Sequence, residues 1–149
     1  MLRMNRQSKN AQRIAEALQG HAALRRVLYP SLFADPEQRR IRDAQVDFPG
    51  GIITLDLAGD RAAAFSFLRN LHIVRDAVSL GGVETLACHP RTTTHSELDE
   101  TELDAAGITD SLVRISVGVE DWRDILRDVR EALDGVAANR FHPSAPARP

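Results

Sequence analysis

Residues 112–117 read Leu-Val-Arg-Ile-Ser-Val, and this stretch decides the fold. Every odd-numbered position in it is β-branched and apolar, whereas the even-numbered side carries Arg114. Because alternate side chains of a strand point to opposite faces, the pattern predicts a strand with one buried face and Arg114 on the other. Residues 121–134 follow with apolar side chains at helical spacing, which predicts a closing helix that ends at Gly135.

The rest of the chain alternates between helical and extended patterns. Residues 3–19 predict an amphipathic helix, and further helices are expected after the caps Asp35, Asp60 and Asp99. Strands are expected at residues 24–29, 52–57, 73–78 and 83–87. Such mixing indicates an α+β fold with a mixed, mostly antiparallel sheet, helices on one face and the other face free to meet something.

Composition bounds the class of protein. The 149 residues suit one domain, and 43% hydrophobic with 27% charged residues is typical of a globular protein. A net charge of −2, with both signs interspersed, does not favour nucleic acid as a partner. With no long apolar run, no secretory signal pattern and a single cysteine, the chain is expected to be cytoplasmic and not membrane-bound.

Few residues indicate chemistry by their type and spacing alone. Cys88, His89 and His95 could ligate a metal, but they lack a fourth ligand at motif spacing, so no metal site is predicted. Gly81-Gly82 lacks phosphate-loop spacing and is interpreted as a turn. The pair Glu120-Asp121 is interpreted as helix N-terminal charges, which the helix dipole favours.

Arg114 is the exception, because a planar guanidinium can bind a carboxylate through two parallel hydrogen bonds. The alternative is an arginine that is simply solvated on an open sheet face. Taken without further comparison, the residues therefore specify a fold class and leave both readings of Arg114 open.

Several stretches resemble one family: cystathionine γ-synthase, the cystathionine lyases, methionine γ-lyase and O-acetylhomoserine sulfhydrylase. The similarity extends over about residues 3–134, in the order and spacing of that family. The matching stretches are residues 3–11, Tyr29-Pro30-Ser31-Leu32, Pro49-Gly50-Gly51, residues 77–86 (AVSLGGVETL), His89-Pro90, Thr94-His95, Ala106-Gly107-Ile108 and residues 112–121 (LVRISVGVED).

The resemblance implies the small C-terminal domain of a fold-type I pyridoxal-phosphate enzyme, preceded by a long joining helix. Residues 1–20 would be the joining helix from a missing large domain, residues 21–135 the small domain, and residues 136–149 a disordered tail. In this family the arginine of the R-x-S-V-G-x-E-D segment binds the α-carboxylate of the amino-acid substrate, and Arg114 matches it. Ser79 matches a serine that lies at the same carboxylate, and Thr94 matches a threonine that helps orient the arginine, although either hydroxyl could instead only cap a turn or helix.

The same resemblance identifies pyridoxal 5′-phosphate as the cofactor and shows what this chain lacks. The family's Schiff-base lysine lies in an S-x-T-K segment that is not present here, and the only lysine, Lys9, lies in the joining helix. We therefore expect no catalytic residue in this chain, no covalently held cofactor and no activity alone. A large-domain partner chain or a homo-oligomer is expected.

Three origins stay open for such a chain: half of a split enzyme, the product of a mis-started gene, or a truncated remnant. The alternative function is a non-catalytic binding or interaction module. Under either function, the sheet face that would meet the large domain is expected to be unusually apolar.

Overall fold

A five-stranded mixed sheet organises the chain in the computed structural model, which describes residues 2–141 and side chains up to residue 138. The strands are β1 (Leu24–Leu28), β2 (Ile52–Leu57), β3 (Arg75–Asp76), β4 (Leu86–Cys88) and β5 (Leu112–Ser116). Their order is β1-β2-β5-β4-β3, and every neighbouring pair is antiparallel except β3 with β4. The α+β fold and the mostly antiparallel sheet are as predicted.

The helices are α1 (Leu2–Leu18), α2 (Pro36–Gln45), α3 (Arg61–Arg69), α4 (Glu100–Ala105) and α5 (Trp122–Phe141), with short 3-10 helices at Pro30–Leu32 and Pro90–Thr92. The predicted caps are confirmed: Asp35 and Asp60 accept hydrogen bonds from the first turns of α2 and α3. Asp99 forms a reciprocal capping box with Glu102.

None of these helices, within residues 2–141, combines the length and apolar character that a bilayer span requires.

The core lies between one face of the sheet and helices α1, α3 and α5. The register places Ile53 and Leu55 of β2 beside Ile115 and Val113 of β5 on this face, and all four are fully buried. Burying each such side chain contributes roughly 1.5–3 kcal/mol. The alternation of residues 112–117 is therefore confirmed, with Arg114 on the face away from these helices.

The second face of the sheet, which carries Arg114, is less exposed to solvent than the sequence predicted. Leu86, Cys88 and Leu112 share it with Arg114 by register, yet they are almost completely buried. The 3-10 helix Pro90–Thr92 packs against β5. The exposed apolar part of this face is confined to the β1 and β2 side, where Leu28 and Ile52 lie at the surface.

The predicted end of the last helix at Gly135 is wrong. Helix α5 continues to Phe141, although a glycine inside a helix costs about 1 kcal/mol relative to alanine. Val136 is buried in the core, and a Cβ at position 135 would lie 2.9 Å from Asn70 Nδ2, so the glycine permits close packing. Tertiary contacts thus outweigh local propensity, and residues 136–141 are helical, not a tail. The predicted disorder of residues 142–149 lies outside the described residues.

Strands β3 and β4 are shorter than residues 73–78 and 83–87 predicted. The backbone N–H groups of His72, Ile73 and Val74 donate to the carboxylate of Asp128 on α5 instead of to a neighbouring strand. Residues 78–85, named here the 78–85 segment, form an irregular link between β3 and β4.

Tyr29 ties α1 to the turn before β2. Its side chain is 1% exposed, and its hydroxyl donates to Gly50 O at 2.8 Å and lies 3.2 Å from Ser8 O. Burial, and then the negative charge of Glu16, raise the pKa of Tyr29 from 10.0 to about 12. The folded protein therefore retains this proton at a pH where the unfolded chain releases it.

We expect the protein to lose stability in alkali, as the Tyr29 hydroxyl loses this proton. Since the unfolded tyrosine ionises near pH 10 and the folded one near pH 12, its contribution is complete below pH 10 and is lost as the pH rises to about 12. The loss amounts to about 2–3 kcal/mol. Urea unfolding at several pH values checks it, and because Tyr29 is the only tyrosine, phenolate absorbance reports its pKa directly. In Tyr29→Phe the decline specific to this window should disappear; an unchanged profile would contradict the assignment.

Candidate functional site

Arg114 lies at the middle of β5, between Thr54 of β2 and Cys88 of β4. Its Nη2 donates to Val78 O at 2.8 Å and to Ser79 O at 3.3 Å. Its Nε is buried and has no hydrogen-bond partner among the described residues. The guanidinium is therefore held at one nitrogen by the 78–85 segment, while a buried donor stays unsatisfied.

An unsatisfied donor on a guanidinium suits an anion. Nε–H and one Nη2–H of any arginine point along one edge, and that edge matches the two oxygens of a carboxylate. A buried donor without a partner costs about 1–3 kcal/mol, so an acceptor that reaches Arg114 Nε recovers free energy. To use both nitrogens, a carboxylate would replace a carbonyl of Val78 or Ser79 at Nη2.

The 78–85 segment is fixed to two neighbouring elements. Ser116 Oγ of β5 accepts from Gly81 N at 3.0 Å, and Val119 N donates to Val83 O at 2.8 Å. From α1, Gln7 Nε2 donates to Gly82 O at 2.7 Å. The segment that touches Arg114 is thus held by the end of the same strand and by the first helix.

A second set of bonds joins Thr85 to the residues after β5. Glu120 accepts from Thr85 N at 2.6 Å and from Thr85 Oγ1 at 2.9 Å, and Thr85 Oγ1 accepts from Gly118 N at 2.9 Å. Asn10 Nδ2 donates to Gly118 O at 3.2 Å and to Glu120 O at 2.9 Å. Asn10 and Thr85 are both buried, and the two bonds to Gly118 are buried with them, whereas the bonds to Glu120 are partly buried.

Ser79 and Thr94 differ in their relation to Arg114. The carbonyl of Ser79 accepts from the guanidinium, and the Ser79 side chain is exposed beside it. Thr94 is exposed and its Oγ1 is bonded to His95 Nδ1 at 2.8 Å; among the described residues it makes no hydrogen bond to Arg114. The structure therefore brings Arg114 and Ser79 together and does not connect Thr94 to them.

The interpretation of Glu120 as a helix N-terminal charge is wrong, since its carboxylate binds Thr85. Its neighbour Asp121 is a helix N-terminal charge as predicted. The Asp121 carboxylate accepts from Arg123 N at 2.8 Å, and this bond lowers the pKa of Asp121.

The polar residues that fix the 78–85 segment were missed in the sequence. Gln7 and Asn10 stand three residues apart on α1, on a helix stripe that also carries Met4, Ala11 and Ile14. Polar side chains on an otherwise apolar stripe signal a buried polar contact, and this pattern could have identified them.

The residues considered as metal ligands are engaged otherwise. His89 is buried, with Nδ1 2.8 Å from Thr92 Oγ1 and Nε2 2.9 Å from Asp110 O. Within the part of the chain that the structure describes, no three His, Cys, Asp or Glu side chains lie together in a way that could hold an ion.

The fold matches that of solved fold-type I pyridoxal-phosphate enzymes. Cystathionine γ-synthase from Xanthomonas oryzae pv. oryzae, in complex with aminoacrylate and cysteine, is similar with a TM-score of 0.86 and 36% identity, over 92% of this chain and 35% of that one. An O-acetylhomoserine (thiol)-lyase structure from Campylobacter jejuni, which contains N′-pyridoxyl-lysine-5′-monophosphate, is similar with a TM-score of 0.84 and 30% identity, over 89% of this chain and 32% of that one.

The chain belongs to the Cys/Met metabolism PLP-dependent enzyme family, whose model matches residues 1–134. L-methionine γ-lyase from Pseudomonas deceptionensis is 43% identical over 136 residues, which cover 91% of this chain and 34% of that protein. The chain thus spans about a third of the length of the curated relatives it matches. The family is dependent on pyridoxal phosphate.

The described residues do not fit covalent attachment of that cofactor. The only lysine, Lys9, is exposed on α1, while its neighbours Ser8 and Asn10 are buried. Asn10 contacts Gly118 near the site, and Lys9 lies on a different side of the helix from Asn10. Gly81-Gly82 is followed by β4 and not by a helix N-terminus, so it offers no phosphate site of the usual helix-dipole kind.

Proposed function

We propose that this chain is the substrate-carboxylate-binding part of a pyridoxal-phosphate enzyme that carries out γ-elimination or γ-replacement on homoserine esters, cystathionine or methionine. The observation that carries the proposal is Arg114, a strand arginine with a buried, unsatisfied Nε and with Ser79 exposed beside it. Membership of the family supports it, since the relatives act in cysteine and methionine metabolism.

The carboxylate is the group that these amino acids share. An arginine that binds it fixes the position of the substrate's Cα without regard to the leaving group. Arg114 therefore suits every substrate of the class and does not choose among them. Ser79 is proposed to add a hydrogen bond at the same carboxylate, and Thr94 stays a weaker candidate because it is bonded to His95.

The proposed reaction also needs a lysine amine that this chain does not offer at the site. We propose that a large-domain partner chain, or another protomer in an oligomer, supplies it, so that the chain is inactive alone. Three exposed aliphatic side chains support a lost or separate partner: Val78, Leu80 and Val83, each 55–56% exposed on the segment that touches Arg114. Met4 is also exposed and precedes Gln7, which contacts Gly82 of the same segment, by one helical turn.

The same apolar surface favours the second candidate, a non-catalytic interaction module. Such a module would use Val78, Leu80 and Val83 to bind a protein without any need for the guanidinium. Carboxylate binding at Arg114 discriminates the two functions.

For Arg114→Lys we expect L-methionine to bind the isolated chain about tenfold more weakly, because lysine cannot donate two parallel hydrogen bonds to one carboxylate. The measurement is a titration of the ¹⁵N-labelled protein, following Arg114 Nε–H and the Ser79 amide by NMR. Methioninol, which lacks the carboxylate, should shift neither signal.

Arg69→Lys is the matched control, since Arg69 is an exposed arginine at the end of α3. It should leave the affinity unchanged. Equal binding of L-methionine by wild type and Arg114→Lys, or no shift at Arg114 at any concentration, would overturn the carboxylate role and favour the interaction module.

A further inference from the structure

We propose that Glu120 is a positioning residue: its carboxylate holds the 78–85 segment where Ser79 and Arg114 together can receive a substrate carboxylate. The inference rests on the proposed function of Arg114 and adds a residue to which that function assigns no part.

The contact with Thr85 calls for a carboxylate. Thr85 presents two donors, its backbone N–H and its hydroxyl, and each reaches an oxygen of Glu120, at 2.6 and 2.9 Å. A glutamine at this position would have only one acceptor oxygen, so it could not give Thr85 N–H and the Thr85 hydroxyl an oxygen each. Bonds to an ionised acceptor are also roughly twice as strong as neutral ones.

Glu120 is itself anchored from α1. Its backbone carbonyl accepts from Asn10 Nδ2 at 2.9 Å and from Arg6 Nη2 at 3.4 Å. The carboxylate therefore extends from a fixed backbone. The hydroxyl oxygen of Thr85 in turn accepts from Gly118 N at 2.9 Å, which ties Thr85 to the residues after β5 as well.

The restraint matters because the segment between Thr85 and Ser79 contains two glycines. Gly81 has a φ of 74°, and a Cβ at that position would meet nothing within 4 Å, so no side-chain packing fixes the turn at Gly81. The carbonyl of Ser79 accepts from Arg114, and the chain that leads from Ser79 through the turn is held at Thr85 by Glu120. Releasing Thr85 removes the restraint at one end of the turn and leaves only the bonds to Ser116, Gln7 and Val119, so the turn and the carbonyls that orient the guanidinium become more mobile.

The test compares Glu120→Gln and Thr85→Val with wild type by hydrogen exchange of the ¹⁵N-labelled full chain. We expect the Gly81 and Thr85 amides and Arg114 Nε–H to exchange at least about tenfold faster in both variants. The amides of Leu55 and Ile115 in the central strands should keep their rates. Thr85→Ser, which keeps the hydroxyl, should restore the protection.

Glu131→Gln is the control, because Glu131 is an exposed acid on α5. Unchanged exchange at Gly81 and Arg114 in both variants would overturn the proposal, and so would equal acceleration of every amide, which indicates a merely structural role. These readouts need no ligand, so they decide on Glu120 whether or not Arg114 binds L-methionine. If wild type binds L-methionine, Glu120→Gln should weaken the affinity several-fold. An unchanged affinity would contradict the positioning role of Glu120 and leave the carboxylate role of Arg114 intact.

Discussion

Replacing Gly118 by alanine is expected to lower the free energy of unfolding by about 2–4 kcal/mol. A Cβ at this position would lie 2.6 Å from the backbone carbon of Glu84 and closer still to Val83 O. Real Cβ atoms do not come so close to backbone, and the facing strand-end backbone cannot move without breaking the bond from Val119 N to Val83 O. Glycine is needed here for close approach of two backbones, not for its freedom at positive φ.

Urea unfolding of Gly118→Ala measures the loss, and Gly81→Ala separates its cause. Gly81 belongs to the same segment and has positive φ, but the space around it is open, so alanine there should cost only about 1–2 kcal/mol from backbone strain. A smaller loss for Gly118→Ala than for Gly81→Ala would show that the two backbones separate easily. The Arg114 Nε–H signal should also move in Gly118→Ala, because the displaced residues continue into the segment that holds the guanidinium.

Asp128→Ala is expected to destabilise the protein by about 3–4 kcal/mol, the second large effect. The Asp128 side chain is buried on α5 and accepts from three successive backbone N–H groups, His72 at 2.9 Å, Ile73 at 3.0 Å and Val74 at 2.9 Å. Truncation leaves these donors without partners, and each hydrogen bond to a charged group contributes about 1.5–3 kcal/mol before water compensates the more exposed ones.

Urea denaturation checks this value, with Glu131→Ala as the control one turn away on the exposed side of α5. The control should change stability by no more than about 0.5 kcal/mol. Asp128→Asn should fall between the two, since it keeps the shape and one acceptor but presents an amide N–H₂ to a donor. A loss below about 1 kcal/mol for Asp128→Ala would show that water replaces the carboxylate at all three amides.

Much of the fold could be predicted because its signals are local. A capping box needs only Asp99 and Glu102 three residues apart, and the alternation of residues 112–117 specifies which side of β5 is buried whatever its neighbours are. The order of helices and strands followed from such signals. The family, too, could be recognised from segments of the sequence, and its model matches the same region.

The errors fall where a distant contact outweighs a local preference. Gly135 is a helix terminator by propensity, but the burial of Val136 and the fit against Asn70 carry α5 through it. Residues 73–78 have strand composition, yet the amides of Ile73 and Val74 donate to Asp128, which lies 55 and 54 residues later in the chain. Neither partner is visible from the sequence around the affected residue.

The sequence by itself determined the α+β class, the position of Arg114 on the sheet and the family to which the chain belongs, because periodicity, caps and motif spacing are properties of neighbouring residues. Only the tertiary structure decided what surrounds that arginine. Glu120 meets Thr85 35 residues away, and Asn10 meets Gly118 108 residues away. Hydrogen bonds act over about 3 Å of space, without regard to separation along the chain, so the polar network around the site exists only once the fold has brought its members together.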